Sequence, residues 1–258
     1  MVLYDEIGVD YDSTRSADPF IASRLLHHLA WPGDAFCLDV GCGTANYTIA
    51  LADKGVRIAG IDASETMLAR ARRKRPSLAC LRAHAEEMPF ASETFASALC
   101  TFVHHHLSDP VAAFKEVWRV LRPRARFVLF NCAVEQIRHY WLWEYFPRMM
   151  EQAMAPYLRL QTTDALGAAG FRILGQEAYS VTEDLRDWFL QCGKNHPERY
   201  FDPRVRAGIS AFAAACDREE IERGLSMLRR DMASGRFAAI RTRYDWSGGD
   251  YTFTIAER

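Results

Sequence analysis

The segment Leu38-Asp39-Val40-Gly41-Cys42-Gly43-Thr44-Ala45-Asn46 constrains this chain more than any other. An apolar run, residues 35–40, leads into it, and a helical pattern, residues 45–54, leads out. Two glycines at a strand-to-helix turn remove Cβ atoms where a bound molecule can lie against the backbone. Nineteen residues beyond Gly43, Asp62 ends the next apolar run. At the carboxyl edge of a parallel sheet, a carboxylate in that place accepts hydrogen bonds from ribose hydroxyls.

The neighbouring pattern predicts such a sheet. Residues 20–31 read as a helix with Ile21, Leu25 and Leu29 on one face, and Gly55 stops the helix of residues 45–54. Residues 56–61 read as a second strand. Ser64 caps the following helix, which ends in Arg72-Arg73-Lys74-Arg75 before Pro76. Four cations in a last turn face the negative end of the helix dipole and require no nucleic acid. Residues 78–81, 95–102 and 127–130 read as strands, and residues 111–121 as an amphipathic helix ended by Pro123. Such β-α alternation argues for a doubly wound parallel sheet.

Past Asn131 the regularity breaks. Residues 132–160 are rich in aromatics and methionine and read as helical, residues 170–181 as strand-like, and residues 183–235 as mainly helical. Asp217 and Glu220 form a candidate capping pair, with Gly235 as the stop. Residues 237–256 read as a hairpin around Ser247-Gly-Gly-Asp250, its last run closing the sheet as an antiparallel strand. We expect one domain over residues 1–258, with a core at 19–131 and a helical elaboration at about 132–165 and 183–235.

Composition excludes several classes. With 32 basic and 33 acidic side chains, nothing favours nucleic acid or an anionic membrane. No apolar stretch approaches the roughly 20 residues of a membrane span. The acidic start, residues 1–6, carries no apolar signal region, so a cytoplasmic protein is expected. The cysteines at 37, 42, 80, 100, 132, 192 and 216 are scattered without CxxC or Cys/His ligand spacing, so no metal site is indicated.

Two cofactor classes share the glycine turn. The dinucleotide fingerprint needs glycine or alanine where Asn46 stands. Here an acid precedes the first glycine by two residues and GxGxA follows, which favours S-adenosylmethionine, a sulfonium without pyrophosphate, over NAD. At this point residues 35–131 resemble the class I S-adenosylmethionine-dependent methyltransferase core, of the ubiquinone-biosynthesis and small-molecule type. The matching blocks, in order, are Asp39-Val-Gly-Cys-Gly-Thr-Ala, Gly60-Ile-Asp62-Ala-Ser64-Glu-Thr-Met67-Leu, Ala85-Glu86-Glu87-Met88-Pro89-Phe90, His105-His106-Leu107-Ser108-Asp109-Pro110 and Val120-Leu121-Arg122-Pro123.

The resemblance implies a Rossmann-like, doubly wound, mostly parallel seven-stranded α/β sheet with a C-terminal antiparallel strand and a helical insertion forming a lid. It implies S-adenosyl-L-methionine as cofactor and S-adenosyl-L-homocysteine as product. Gly41 and Gly43 would lie against the methionine portion, Asp62 would take the ribose hydroxyls, Ala63 or Met67 would pack the adenine, and Ala85 would offer its backbone to the adenine edge. Asp39, Cys42, Glu86 and Thr101 belong to the same expected site. His84 stands where relatives commonly carry an acid for the adenine amino group, and Ala45 replaces a third glycine. Tyr11 and Arg15 precede the core where many relatives close a segment over the cofactor; Arg15 could fork onto its carboxylate or lie on the surface of a leading helix.

Methyl transfer requires alignment and, for O or N acceptors, loss of a proton. His104-His105-His106 lies beyond the fourth strand. In an extended segment these side chains alternate in direction and do not converge on a metal. His105 is the candidate catalytic residue, a packing role being its alternative. His104, Trp141 and Tyr145 are candidate acceptor contacts, and so dense an aromatic stretch suits an aromatic or cationic acceptor, or simply packs a lid on the core. The expected partner is a small molecule, with no nucleic acid and no membrane. An RNA or protein methyltransferase, and a cofactor-binding protein without methylation activity, remain open alternatives.

Overall fold

The computed structural model describes residues 8–215 and 217–258; the acidic start at residues 1–6 and Cys216 lie outside them. Seven strands form one sheet: β1 (Cys37–Val40), β2 (Ile58–Asp62), β3 (Ala79–Arg82), β4 (Phe95–Thr101), β5 (Leu121–Asn131), β6 (Arg172–Tyr179) and β7 (Tyr251–Glu257). Their spatial order is β3-β2-β1-β4-β5-β7-β6. The first five pair in parallel, and β7 runs antiparallel to both β5 and β6. This is the mostly parallel Rossmann-like sheet expected, with its antiparallel C-terminal strand lying between two others.

The helices are held by local chemistry that the sequence displays. Helix α1 (Pro19–Leu29) starts at Asp18, whose carboxylate accepts the N–H groups of Phe20 and Ile21, and buries Ile21, Leu25 and Leu29. Helix α2 (Asn46–Ala52) leaves the glycine turn. Helix α3 (Glu65–Lys74) is capped by the Ser64 hydroxyl, which accepts the Met67 N–H. Helix α4 (Pro110–Val120) is capped by Asp109 and presents Phe114 and Val117 to the sheet. Successive residues of β5 serve opposite faces: Phe127 and Leu129 pack with Leu38, Val40 and Phe114, whereas Val128 and Phe130 pack with α1 and the aromatic elaboration. A strand buried on both sides reads as a continuous apolar run.

Beyond β5 lie α5 (Val134–Arg138), α6 (Pro147–Arg159) and α7 (Thr162–Ala168), then, past β6, α8 (Pro203–Ala207), α9 (Ser210–Ala215), α10 (Arg218–Ser234) and α11 (Arg236–Arg243). Two expectations change here. Residues 237–243 form a helix, not the first arm of a hairpin; Phe237 packs edge-on against Trp141, and β7 finds its partners in β5 and β6. Residues 183–196 hold no α-helix, because their backbone bonds outward: the Trp188 N–H reaches the Thr14 carbonyl and the Arg186 N–H reaches the Asp18 carboxylate. Asp217 does cap α10 by accepting the Glu220 N–H, while the buried Glu220 carboxylate accepts the Arg148 N–H. Among the described residues, no helix is long and apolar enough to cross a membrane.

Candidate active site

Strand order reverses between β1 and β4, so the loops beyond them diverge and leave a crevice at the carboxyl edge of the sheet. The glycine turn forms its floor. Gly41 and Gly43 both take positive φ, +72° and +55°, and a Cβ at Gly41 would fall 2.4 Å from Val103 Cγ2. The turn bonds back to the second strand, with the Gly41 and Cys42 N–H groups donating to the Ile61 carbonyl. Asp62 is fixed between turn and helix: Oδ2 accepts the Gly43 N–H and Oδ1 the Ser64 N–H, each at 2.8 Å.

The cleft encloses about 400 Å³. Its lining includes Tyr11, Gly41, Gly43, Asp62, Ala63, Met67, His84, Ala85, Glu86 and Thr101. A smaller recess of about 40 Å³ continues from it and is lined by Arg15, Asp39 and Cys42. Each expected cofactor residue therefore lines one or the other of these two spaces, which share Tyr11, Gly41, Gly43, Thr101 and Phe102. Asp39, 1% exposed, spends Oδ2 on the Thr48 hydroxyl at 2.6 Å, and its buried Oδ1 has no hydrogen-bond partner among the described residues. Burial pushes its carboxyl up to about 7, the Thr48 bond opposing and the Asp62 charge reinforcing the shift.

The basic run has a structural use. Lys74 donates to Asp12, Thr44 and Asn46, and the Thr44 hydroxyl also donates to Asp12, so the N-terminal turn (Gly8–Ser13) is tied to the glycine loop. Arg75 pairs with Asp53 and Arg72 with Glu65. Arg15 is buried and holds Asp187 through two of its nitrogens, with its guanidinium 4.9 Å from the Tyr11 ring centre.

A second cavity, of about 230 Å³, opens beside the cleft and shares Phe102 and His106 with it. Phe102 follows β4 with φ +60°, a left-handed conformation costly for a bulky side chain. The strand stops one residue earlier than its apolar run suggests, and this twist sets the ring among Phe130, Phe189 and Tyr251. Helix α6 roofs the cavity with Gln152, Ala153, Pro156 and Tyr157, and residues 189–214 close it. This is the helical lid that was expected.

The three histidines form a 3-10 turn, not an extended segment. His105 and His106 line the second cavity, whereas His104 turns inward, stacks on Tyr157 and meets the Leu160 carbonyl at 3.1 Å. Burial lowers the His104 imidazole, and desolvation with the neighbouring His106, His104 and Arg15 charges holds the half-buried His105 below its ordinary value, while His106 is exposed. Trp141 and Tyr145, expected to touch the acceptor, are instead core residues. Trp141 packs against Tyr145, Tyr200 and Phe237 and borders a separate polar cavity, and the Tyr145 hydroxyl donates to Asp231. Neither lines the space beside the cleft. Tyr157, Phe102 and His106 take that place, and only a relation between distant segments could have revealed them.

The comparisons agree with this geometry. A family model described as a methyltransferase domain matches residues 38–129. The demethylmenaquinone methyltransferase of Beutenbergia cavernae is 30% identical over 198 residues, spanning 74% of this chain and 77% of that protein. An Anabaena variabilis structure described as a methyltransferase from an antibiotic biosynthesis pathway superposes with a TM-score of 0.82 at 26% identity, over 95% of this chain and 99% of that one. The [4+2]-cyclase SpnF shares the fold, with a TM-score of 0.61 at 21% identity over 99% of this chain and 94% of that one. Sheet, cleft and relatives define a Rossmann-like transferase. The chain belongs to the class I S-adenosylmethionine-dependent methyltransferase family. It is an enzyme that transfers a methyl group from S-adenosylmethionine to a small molecule.

The residues present fit that cofactor. A buried carboxylate oxygen without a donor, on Asp39, lies in a recess off the glycine turn, where a ligand carrying its own cationic amine would satisfy it. The Asp62 carboxylate lines the cleft and is oriented there by the Gly43 and Ser64 N–H groups.

Proposed function

We propose that the cofactor lies along the cleft with its methionine end in the recess and its adenosine toward α3. In this reading the Asp62 carboxylate takes the ribose hydroxyls, Ala63 and Met67 pack one adenine face, and His84 and Ala85 meet its polar edge. Glu86 and Thr101 complete the walls. Asp39 receives the amino group; Gly41, Cys42 and Gly43 provide backbone surface; Tyr11 and Arg15 close over the carboxylate. Bound there, S-adenosylmethionine supplies an electrophilic methyl carbon on a good neutral leaving group. The observation that carries the reading is that the cleft and the lidded cavity meet at Phe102 and His106. A methyl donor in one and an acceptor in the other are thereby brought side by side.

The acceptor is a compact, largely apolar molecule, because aromatic and aliphatic side chains dominate the cavity walls. A ring-bearing acceptor is in keeping with the demethylmenaquinone methyltransferases. We read residues 1–258 as one domain acting in the cytoplasm, without a nucleic-acid partner, since Arg72, Lys74 and Arg75 are engaged with carboxylates. Calorimetry with S-adenosylmethionine, S-adenosylhomocysteine and NADH tests the cofactor assignment. Both sulfur compounds are expected to bind and NADH is not; no affinity for either sulfur compound overturns it.

A further inference from the structure

We propose that Cys42 and Cys80 form a dithiol that a hydroperoxide oxidises, and that the resulting disulfide pulls the glycine turn out of its cofactor-binding shape. The second half rests on the placement of the cofactor given above.

Position is the first argument. Strand β3 lies at the edge of the sheet, and its Cys80 pairs with Gly60 of β2 in the parallel register. Cys42 stands in the turn after β1, its N–H tied to the Ile61 carbonyl beside Gly60. A Cβ on Gly60 would fall 2.7 Å from Cys42 Sγ and 3.5 Å from Cys80 Sγ. Both sulfurs therefore occupy the space of the side chain that Gly60 lacks, and any larger residue would part them. With glycine there, the two thiols hydrogen-bond each other.

Access is the second. Of the described cysteines, Cys37, Cys100, Cys132 and Cys192 are buried, whereas Cys42 and Cys80 are half-buried. The two that a small oxidant reaches are the two that meet.

Reactivity is the third. The hydrogen bond from Cys42 holds the Cys80 thiol below its ordinary value, outweighing partial burial, and the same bond with desolvation pushes Cys42 up. Cys80 is thus the sulfur that attacks and Cys42 the one that resolves. The Cys80 sulfur takes one oxygen of hydrogen peroxide: a sulfur–oxygen bond forms, the oxygen–oxygen bond breaks, and water leaves with the Cys80 proton. The Cys42 sulfur then attacks the Cys80 sulfur. The disulfide forms, the sulfur–oxygen bond breaks, and a second water leaves with the Cys42 proton. Two thiols are oxidised and one peroxide is reduced.

A disulfide needs sulfurs about 2.0 Å apart, closer than hydrogen-bonded thiols rest. Cys42 is drawn toward β3 to reach that separation and carries its neighbours Gly41 and Gly43 with it. The Gly43 N–H is then pulled from Asp62, the carboxylate assigned to the ribose, and the recess that Cys42 lines changes shape. Linkage makes the effect reciprocal, so bound cofactor opposes the disulfide.

The test treats the full chain with hydrogen peroxide. Peptide mass is expected to show a Cys42–Cys80 cross-link that dithiothreitol reverses and that forms to a lesser extent with S-adenosylhomocysteine bound. Calorimetry is expected to show S-adenosylhomocysteine binding about 10-fold weaker in the oxidised chain, restored on reduction. Cys80→Ser should bind as the reduced wild type does and keep that affinity after peroxide, which separates this pair from oxidation elsewhere. Absence of the cross-link, a cross-linked chain of unchanged affinity, or an equal loss in oxidised Cys80→Ser overturns the proposal with the cofactor assignment intact. Failure of the reduced wild type to bind S-adenosylhomocysteine overturns the cofactor placement and the control of binding together, while the cross-link is still decided by mass.

Discussion

Arg15 and Asp187 are 172 positions apart in sequence and meet in a buried ion pair, Nε to Oδ1 at 2.5 Å, with both side chains under a tenth exposed. The Tyr47 hydroxyl donates to the same carboxylate at 3.0 Å, and Arg15 also reaches the Gly208 carbonyl. The pair thus joins the N-terminal segment, the helix after the glycine turn and the lid elements. Arg15→Met should cost about 3–5 kcal/mol, because it leaves Asp187 buried without its cation. Arg15→Met with Asp187→Asn should recover part of that loss. Urea denaturation of the three variants checks it, and additive losses would show that the pair is not coupled.

Asp62→Ala is expected to weaken S-adenosylhomocysteine binding by about 1.5–3 kcal/mol, the range for a hydrogen bond to a charged group. The same change frees the Gly43 and Ser64 N–H groups, so a thermal melt must accompany the calorimetry. Unchanged affinity would place the ribose elsewhere.

Asp39 makes stability and cofactor affinity run in opposite directions with pH. Its folded pKa is raised to about 7 by burial, against about 3.9 in an unfolded chain. Between these values the folded state binds more protons, so this group's contribution to stability falls as pH rises through the window. Asp39→Asn should flatten that slope in the free protein. A bound amino group favours the carboxylate, so cofactor binding near pH 6–7 should release up to about one proton. Calorimetry in buffers of different ionisation enthalpy measures it; proton uptake would contradict the placement of the amine.

Two positions of the turn, Ala45 and Gly41, should respond with opposite signs. Ala45 is buried in the left-handed conformation, φ 62°, where a Cβ costs roughly 1–2 kcal/mol. Ala45→Gly relieves that strain and returns about 0.4–1 kcal/mol as chain entropy, so a net gain of about 0.5 kcal/mol is expected. Gly41→Ala adds both the φ penalty and a contact 2.4 Å from Val103, and should lose about 2–3 kcal/mol. Denaturation midpoints decide between these signs.

Activity should hold to an acid pH lower than an unperturbed histidine allows. His105 faces His104 and His106 on its own turn, Tyr157 from α6 and Arg15 from the N-terminal segment, and burial with these neighbours keeps it neutral well below 6.5. Its base function is present above the depressed pKa and lost as pH falls through it. The acid limb of kcat/KM is therefore expected below the ordinary imidazole range; a limb centred at 6.5 would mean that His105 is solvated and takes up no proton in turnover.

Much of the core could be read from local sequence because its causes are local. Gly41 and Gly43 are dictated by backbone angles, Asp18, Ser64 and Asp109 by the helix ends they cap, and Asp62 by its place at the end of a strand. The expected cofactor residues line two neighbouring spaces because the sheet edge gathers the ends of successive strands. The lid obeys no such rule. Residues 237–243 and 183–196 carry patterns that suit more than one conformation, and their outcome depended on Trp141, Thr14 and Asp18.

The glycine turn marks the same division. The sequence by itself determined that a ligand's backbone cradle stands at the end of β1, with an acid across it, since steric freedom and hydrogen-bond capacity belong to individual residues. The tertiary structure decided what faces that cradle. It buried Trp141 and Tyr145, turned Phe102 through an unfavourable angle, and set Tyr157 beside His105 across 52 residues of chain. Such choices follow from packing among distant segments, in which a side chain's surroundings and not its identity fix whether it fills the core or meets the acceptor.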